Sequence, residues 1–96
     1  PPNAIFCASD LIAMGAIDAA SELGVNIPEQ LGLVGFDDIE MAAWPGYAIT
    51  TVKQPIEDLV DATIEVLLNA IENPSAENVT RWMPARLVQR DTTRRV

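Results

Sequence analysis

Hydrophobic and polar positions along the chain switch period several times, and each switch predicts an element. Ala4-Ile5-Phe6-Cys7-Ala8 is an unbroken apolar run between two prolines and the polar pair Ser9-Asp10, the pattern of a strand buried on both faces. From Ser9 the period becomes helical. Ser9 is suited to the N-cap, Asp10 to the electropositive first turn, and Ala13, Ile17, Ala20 and Leu23 recur on one face before Gly24 supplies a left-handed stop. Residues 25–30 connect to a second apolar run, Leu31-Gly32-Leu33-Val34-Gly35-Phe36, which closes on Asp37-Asp38. Strand, helix and strand in that order predict a right-handed crossover between parallel strands.

Residues 39–48 contain Trp44-Pro45-Gly46-Tyr47 and read as a loop with a short helical turn, followed by a β-branched strand at Ile49-Thr50-Thr51-Val52. Pro55 lies near the first position of the clearest helix. Ile56, Leu59, Val60, Thr63, Ile64, Leu67, Leu68 and Ile71 form one face, and Glu57, Asp58, Asp61, Glu65 and Glu72 the other, so this helix is expected to pack on a core by one side. Asn73-Pro74-Ser75 ends it, a loop runs to about Val79, and Arg86-Leu87-Val88-Gln89-Arg90 is the last strand. Two helices with three or four strands are too few to cover both faces of a doubly wound sheet, so the expected fold is part of a larger α/β domain.

Composition narrows the chemistry. The chain has 96 residues, 49% of them hydrophobic, which makes it globular and not disordered. It has no histidine, which removes the commonest general base and metal ligand together, and no cofactor or metal is implied. A single cysteine, Cys7, inside an apolar run reads as a small buried hydrophobe in a reducing cytoplasm. No apolar run reaches the ~18 residues of a membrane span, and the first residues lack the basic-then-apolar pattern of a signal peptide, so any export signal is expected upstream of them. Net charge is −8, and residues 1–52 carry seven carboxylates without one Lys or Arg. Five of the six cations, Arg81, Arg86, Arg90, Arg94 and Arg95, are spread along the last sixteen residues and form no cluster that fits a nucleic-acid groove.

The rim formed by the carboxyl ends of parallel strands is where such sheets bind ligands, and Ser9, Asp10, Asp37 and Asp38 should meet there. A carboxylate at that rim can accept two hydrogen bonds from vicinal hydroxyls or ring N–H groups; alternatively Ser9 caps its helix and the aspartates cap loop amides. An acidic pair after a buried strand also occurs in phospho-receiver domains, but these need a lysine on a further buried strand, and Lys53 follows a polar one. The first helix is under-charged outside Asp18 and Glu22, so helices beyond this chain or a second subunit should cover it. Met14 and Ile17 can serve either a core or an interface, and Trp44 either anchors its loop or makes an interface contact.

Four segments in order, residues 4–16 (AIFCASDLIAMGA), 34–38 (VGFDD), 50–55 (TTVKQP) and 86–93 (RLVQRDTT), closely resemble the end of LacI/GalR-type transcription regulators. The resemblance implies a fragment of a periplasmic-binding-protein-like two-lobed α/β fold with parallel sheets and flanking helices. Residues 1–52 would belong to the C-terminal effector-binding lobe, 53–84 to a crossover and helix of the N-terminal lobe, and 85–96 to a return strand and tail. Asp37 matches an effector-binding aspartate, Gln54 a crossover position that reaches the cleft, and Ser9 a position that is usually Asn or Asp. Met14, Ile17, Asp18, Ser21 and Trp44 match the dimer interface. The implied protein is a cytoplasmic homodimer, no enzyme, that senses a sugar or similar small molecule and meets operator DNA through a headpiece outside this chain. A periplasmic sugar-binding protein of the same fold is the alternative.

Overall fold

The computed structural model describes residues 2–75 and 77–95. Strand β1 (Ala4–Phe6) leads to helix α1 (Asp10–Leu23), strand β2 (Gly32–Val34), a 3-10 turn (Glu40–Ala43), strand β3 (Thr51–Lys53), helix α2 (Ile56–Glu72) and strand β4 (Arg86–Val88). Strands β1 and β2 pair in parallel with Ile5 opposite Leu33. Strands β3 and β4 pair antiparallel with Val52 opposite Leu87. A parallel bridge between Val34 and Thr50 joins the two pairs, and the Gly35 and Asp37 amides extend it by donating to the carbonyls of Thr50 and Val52, each at 2.9 Å.

Every expected element is present, but the strands are shorter than the apolar runs that announce them. The run at 4–8 is strand only to Phe6, because the chain must turn into the helix cap at Ser9. The strand expected at 49–52 begins at Thr51. Ile49 and Thr50 instead serve as anchors for the return segment: the Arg90 guanidinium donates to the Ile49 carbonyl, and the Thr50 amide donates to the Thr92 hydroxyl at 2.8 Å. Pro55 precedes the first helical residue of α2, as its fixed φ favours. The loop expected between Asn73 and Val79 includes Ala76, which lies outside the described residues, as do Pro1 and Val96 of the terminal segments.

Backbone contacts divide the chain into two units, 1–53 with 86–96, and 54–85. In the first unit the buried core is Cys7, Ala13, Leu33, Ala42 and Ile49, flanked by Ile5, Met14, Ala16, Ile17, Ile27, Ile39 and Tyr47. Alanines at 13 and 20 let α1 approach the sheet closely. The cap of α1 forms as its sequence requires, the Ser9 hydroxyl accepting from the Ile12 amide at 3.3 Å. Its other end closes with Gly24 at φ 72, donating to the carbonyls of Ala20 and Ser21.

In the second unit, none of the residues of α2 is buried. Its apolar arc is wider than one face. Leu59, Ala62, Val66 and Ala70 line a shallow groove closed by Val79, Arg81 and Met83, while Ile56, Val60, Ile64, Leu68 and Ile71 remain 50–64% exposed. Among the described residues of this unit the segment around 79–83 lies along the helix, and one extended segment cannot cover two sides of a cylinder.

Candidate functional site

The loop after β2 carries the two aspartates and is fixed residue by residue. At its start, the Asp10 amide donates to the Phe36 carbonyl at 3.0 Å. The Asp37 amide donates to Val52, as above, and the Asp38 amide reaches the Thr51 hydroxyl at 3.4 Å. At its end, the Ile39 amide donates to Asp10 Oδ2 at 2.9 Å. Both aspartates pay in backbone geometry, with φ 109 at Asp37 and 56 at Asp38, the left-handed region that L residues seldom enter. Strain of this kind persists only where the surroundings over-determine it.

The two neighbours have different fates. The Asp38 carboxylate is paired with Arg90 at 2.7 Å, with both side chains mostly buried. Arg90 also holds Ile49, so this ion pair ties the loop to the return segment. Asp38 therefore anchors the loop, and Asp37 is the more exposed of the two aspartates.

The fully buried carboxylate is Asp10, at 0% exposure. Its Oδ1 accepts from the Thr51 hydroxyl at 2.7 Å while its Oδ2 accepts from Ile39. Its position in the first turn of α1 supplies positive electrostatic potential, and the two donors replace lost hydration. Gly35 lies against it so closely that a Cβ there would fall 2.1 Å from Oδ1. Sequence reasoning put Asp10 on the rim with Asp37 and Asp38, and the structure joins it to their loop. It missed the burial, whose only local hint was the small residues Ala13 and Gly35 that make room for the carboxylate.

Ser9, half-buried, has its hydroxyl engaged in the α1 cap. Gln54 follows β3 and belongs to the second unit. Among the residues matched to a dimer interface, Met14 and Ile17 pack partly against the core, whereas Asp18, Ser21 and Trp44 are exposed. The Tyr47 hydroxyl donates to Asp18 at 3.1 Å and pins the loop after Trp44 to α1. That bond and the adjacent negative charge raise the tyrosine pKa above its ordinary value.

The arginines are largely engaged. Arg81 forms a two-pronged contact with Glu65 at 3.0 and 3.1 Å, which raises the arginine pKa and lowers that of the glutamate. Arg95 lies 3.6 Å from Asp91, and Arg94 donates to the Glu29 carbonyl. Among the described residues no helix is long and apolar enough to cross a membrane, and no group of three or more potential metal ligands converges.

A parallel strand pair with an aspartate pair at its carboxyl rim, joined to an antiparallel ribbon, is part of an α/β domain. The chain matches the family described as periplasmic binding protein-like domain over residues 1–93 and belongs to that family, with LacI/GalR-type regulators as its relatives. It is 39% identical over 89 residues to the HTH-type transcriptional repressor PurR of Klebsiella pneumoniae, covering 93% of this chain and 26% of the repressor. Among solved structures, a LacI family transcriptional regulator from Enterococcus faecium with bound ribose is 31% identical and superposes with a TM-score of 0.79, over 95% of this chain and 34% of the regulator. The lac repressor dimer bound to operator and the anti-inducer ONPF is likewise 31% identical, with a TM-score of 0.82 over 96% of this chain and 32% of the repressor. The chain thus spans about a quarter of the length of its curated relatives and a third of the solved ones.

Proposed function

We propose that this chain is an effector-binding and dimerisation region of a LacI-type transcription regulator, with Asp37 as a hydrogen-bond acceptor for a sugar or sugar-like effector. The observation that carries this reading is the clamped loop at the end of β2, which fixes the backbone of Asp37 and leaves its side chain at the rim. The relative with bound ribose supports a polyhydroxylated ligand, since vicinal hydroxyls match two carboxylate oxygens. Ser9 and Gln54 are assigned to the same effector site by their positions in the motifs. Residues 53–84 are assigned to the lobe opposite the one built by 1–52 and 85–96. Met14, Ile17, Asp18, Ser21 and Trp44 are assigned to a homodimer interface, consistent with a dimeric repressor among the relatives. On this reading the protein acts in the cytoplasm, performs no catalysis, and reads operator DNA through a domain outside these residues; effector binding shifts the balance between its DNA-competent and incompetent states.

The test is calorimetric titration of a full-length protein carrying these residues with ribose and a panel of other pentoses and hexoses. Asp37→Asn is the informative variant, because asparagine tolerates positive φ and keeps the shape while removing the charge and one of the two acceptor oxygens. Losing a charge-assisted acceptor should weaken sugar binding about tenfold or more. An unchanged affinity refutes the role of Asp37, and the absence of binding by any sugar refutes the choice of ligand class.

A further inference from the structure

We infer that Asp10 and Thr51 form a buried positioning pair that sets the pose of Asp37; the inference rests on the effector-binding reading of that residue. The pair lies beneath the rim and not on it. Asp10 is 0% exposed and Thr51 is 0% exposed, so neither is available to an effector. Their hydroxyl-to-carboxylate bond of 2.7 Å joins the first residue of α1 to the first residue of β3.

From that junction each end of the rim loop is held. Asp10 donates through its backbone amide to Phe36 and accepts through Oδ2 from Ile39, so one residue brackets Asp37 and Asp38 on both sides. Thr51 uses the same hydroxyl oxygen to accept from the Asp38 amide. A threonine hydroxyl has one proton and two lone pairs, so it can donate to Asp10 and accept from Asp38 at once. Valine has the same shape and does neither. Asp37 stands at φ 109, a strained conformation that the surrounding bonds, these anchors among them, must hold in place. Thr51 also begins the β3–β4 ribbon, so the pair ties the rim loop to that ribbon.

The test uses a full-length protein carrying these residues, with Thr51→Val and Thr51→Ser. Hydrogen exchange at the amides of Asp38 and Ile39 should rise about tenfold in Thr51→Val. It should stay within about twofold of wild type in Thr51→Ser, which restores the hydroxyl. The interior amides of α1 should not change. Ribose affinity should fall and recover in the same order. A merely structural role would raise exchange throughout α1 and would not respond to the serine in this selective way. The inference is overturned if Thr51→Val leaves the loop amides within about twofold of wild type, if serine fails to rescue, or if the loop loosens while ribose affinity holds. Should Thr51→Val not fold, the unaltered protein decides: an Ile39 amide exchanging at its unprotected rate overturns the clamp. The exchange readout needs no ligand, whereas Asp37→Asn in ribose titration judges the effector role alone, so the two readings fail separately.

Discussion

Gly35→Ala should be the most damaging single-methyl addition in this chain. Its Cβ would sit 2.1 Å from Asp10 Oδ1, 3.3 Å from Asp10 Cγ and 3.2 Å from Ile49 Cγ2. The carboxylate cannot swing away freely, since its backbone begins α1, and Ala13, one turn on, is wholly buried. Overpacking of a filled core costs about 1–3 kcal/mol. Displacing Oδ1 also breaks the bond from Thr51, and a buried hydrogen bond to a charged group is worth about 1.5–3 kcal/mol. The sum, about 2.5–6 kcal/mol, is a large share of the ~5–15 kcal/mol total stability of an ordinary domain. The assay is guanidinium denaturation of a full-length protein followed by circular dichroism, with Gly15→Ala as the control. A Cβ at Gly15 meets nothing within 4 Å, and the change should stabilise α1 by about 0.5–1 kcal/mol. The double variant Gly35→Ala/Asp10→Ala sharpens the test. Removing the carboxylate removes the clash, so the double should be less damaged than the sum of the singles by about 1–3 kcal/mol. A Gly35→Ala protein within about 1 kcal/mol of wild type, or strict additivity in the cycle, refutes the close-packed carboxylate.

Two further outcomes follow from the titrating groups. Burial raises the Cys7 thiol pKa, so a thiol reagent at mildly alkaline pH should label Cys7 at least about tenfold more slowly in the native protein than after unfolding; equal rates would show that the strand is open. Tyr47 is held neutral by Asp18, so its folded-state pKa lies above the ordinary 10.0. The sign follows: whatever this contact contributes is present below pH 10 and is lost as pH rises through the raised value. Magnetic resonance of the tyrosine ring should give a midpoint above 10 that falls toward it in Asp18→Asn. An unmoved midpoint would refute the contact.

What the sequence disclosed was whatever is set by neighbours along the chain. Ser9 and Gly24 mark the ends of α1 because capping is local chemistry, satisfied within three or four residues. Asp37 is legible as a rim residue because a strand's end is readable from its apolar run. The Asp10 junction was not legible, because its partner Thr51 lies 41 residues away and an aspartate after an N-cap has the same sequence signature whether buried or solvated. The separation of roles between the adjacent aspartates was hidden for the same reason: Arg90, which claims Asp38, is fixed only once the return segment docks. The apolar positions of α2 state what the helix can bury and not what covers it, and among the described residues none of the helix is buried.

The placement of Thr92 bears on how such a chain comes to be folded. Its hydroxyl donates to the carbonyl of Leu33, its own carbonyl accepts the Leu33 amide at 2.9 Å, and its oxygen takes the amide of Thr50, so one late residue completes the edge of the earlier strands. Fifty-nine positions separate Thr92 from Leu33, with the whole of α2 between them. A ribosome that has released Ala4 to Lys53 has therefore delivered a sheet whose polar edge is still unsatisfied. Order along that edge must wait until the segment carrying Thr92 has been made and has docked on the earlier strands.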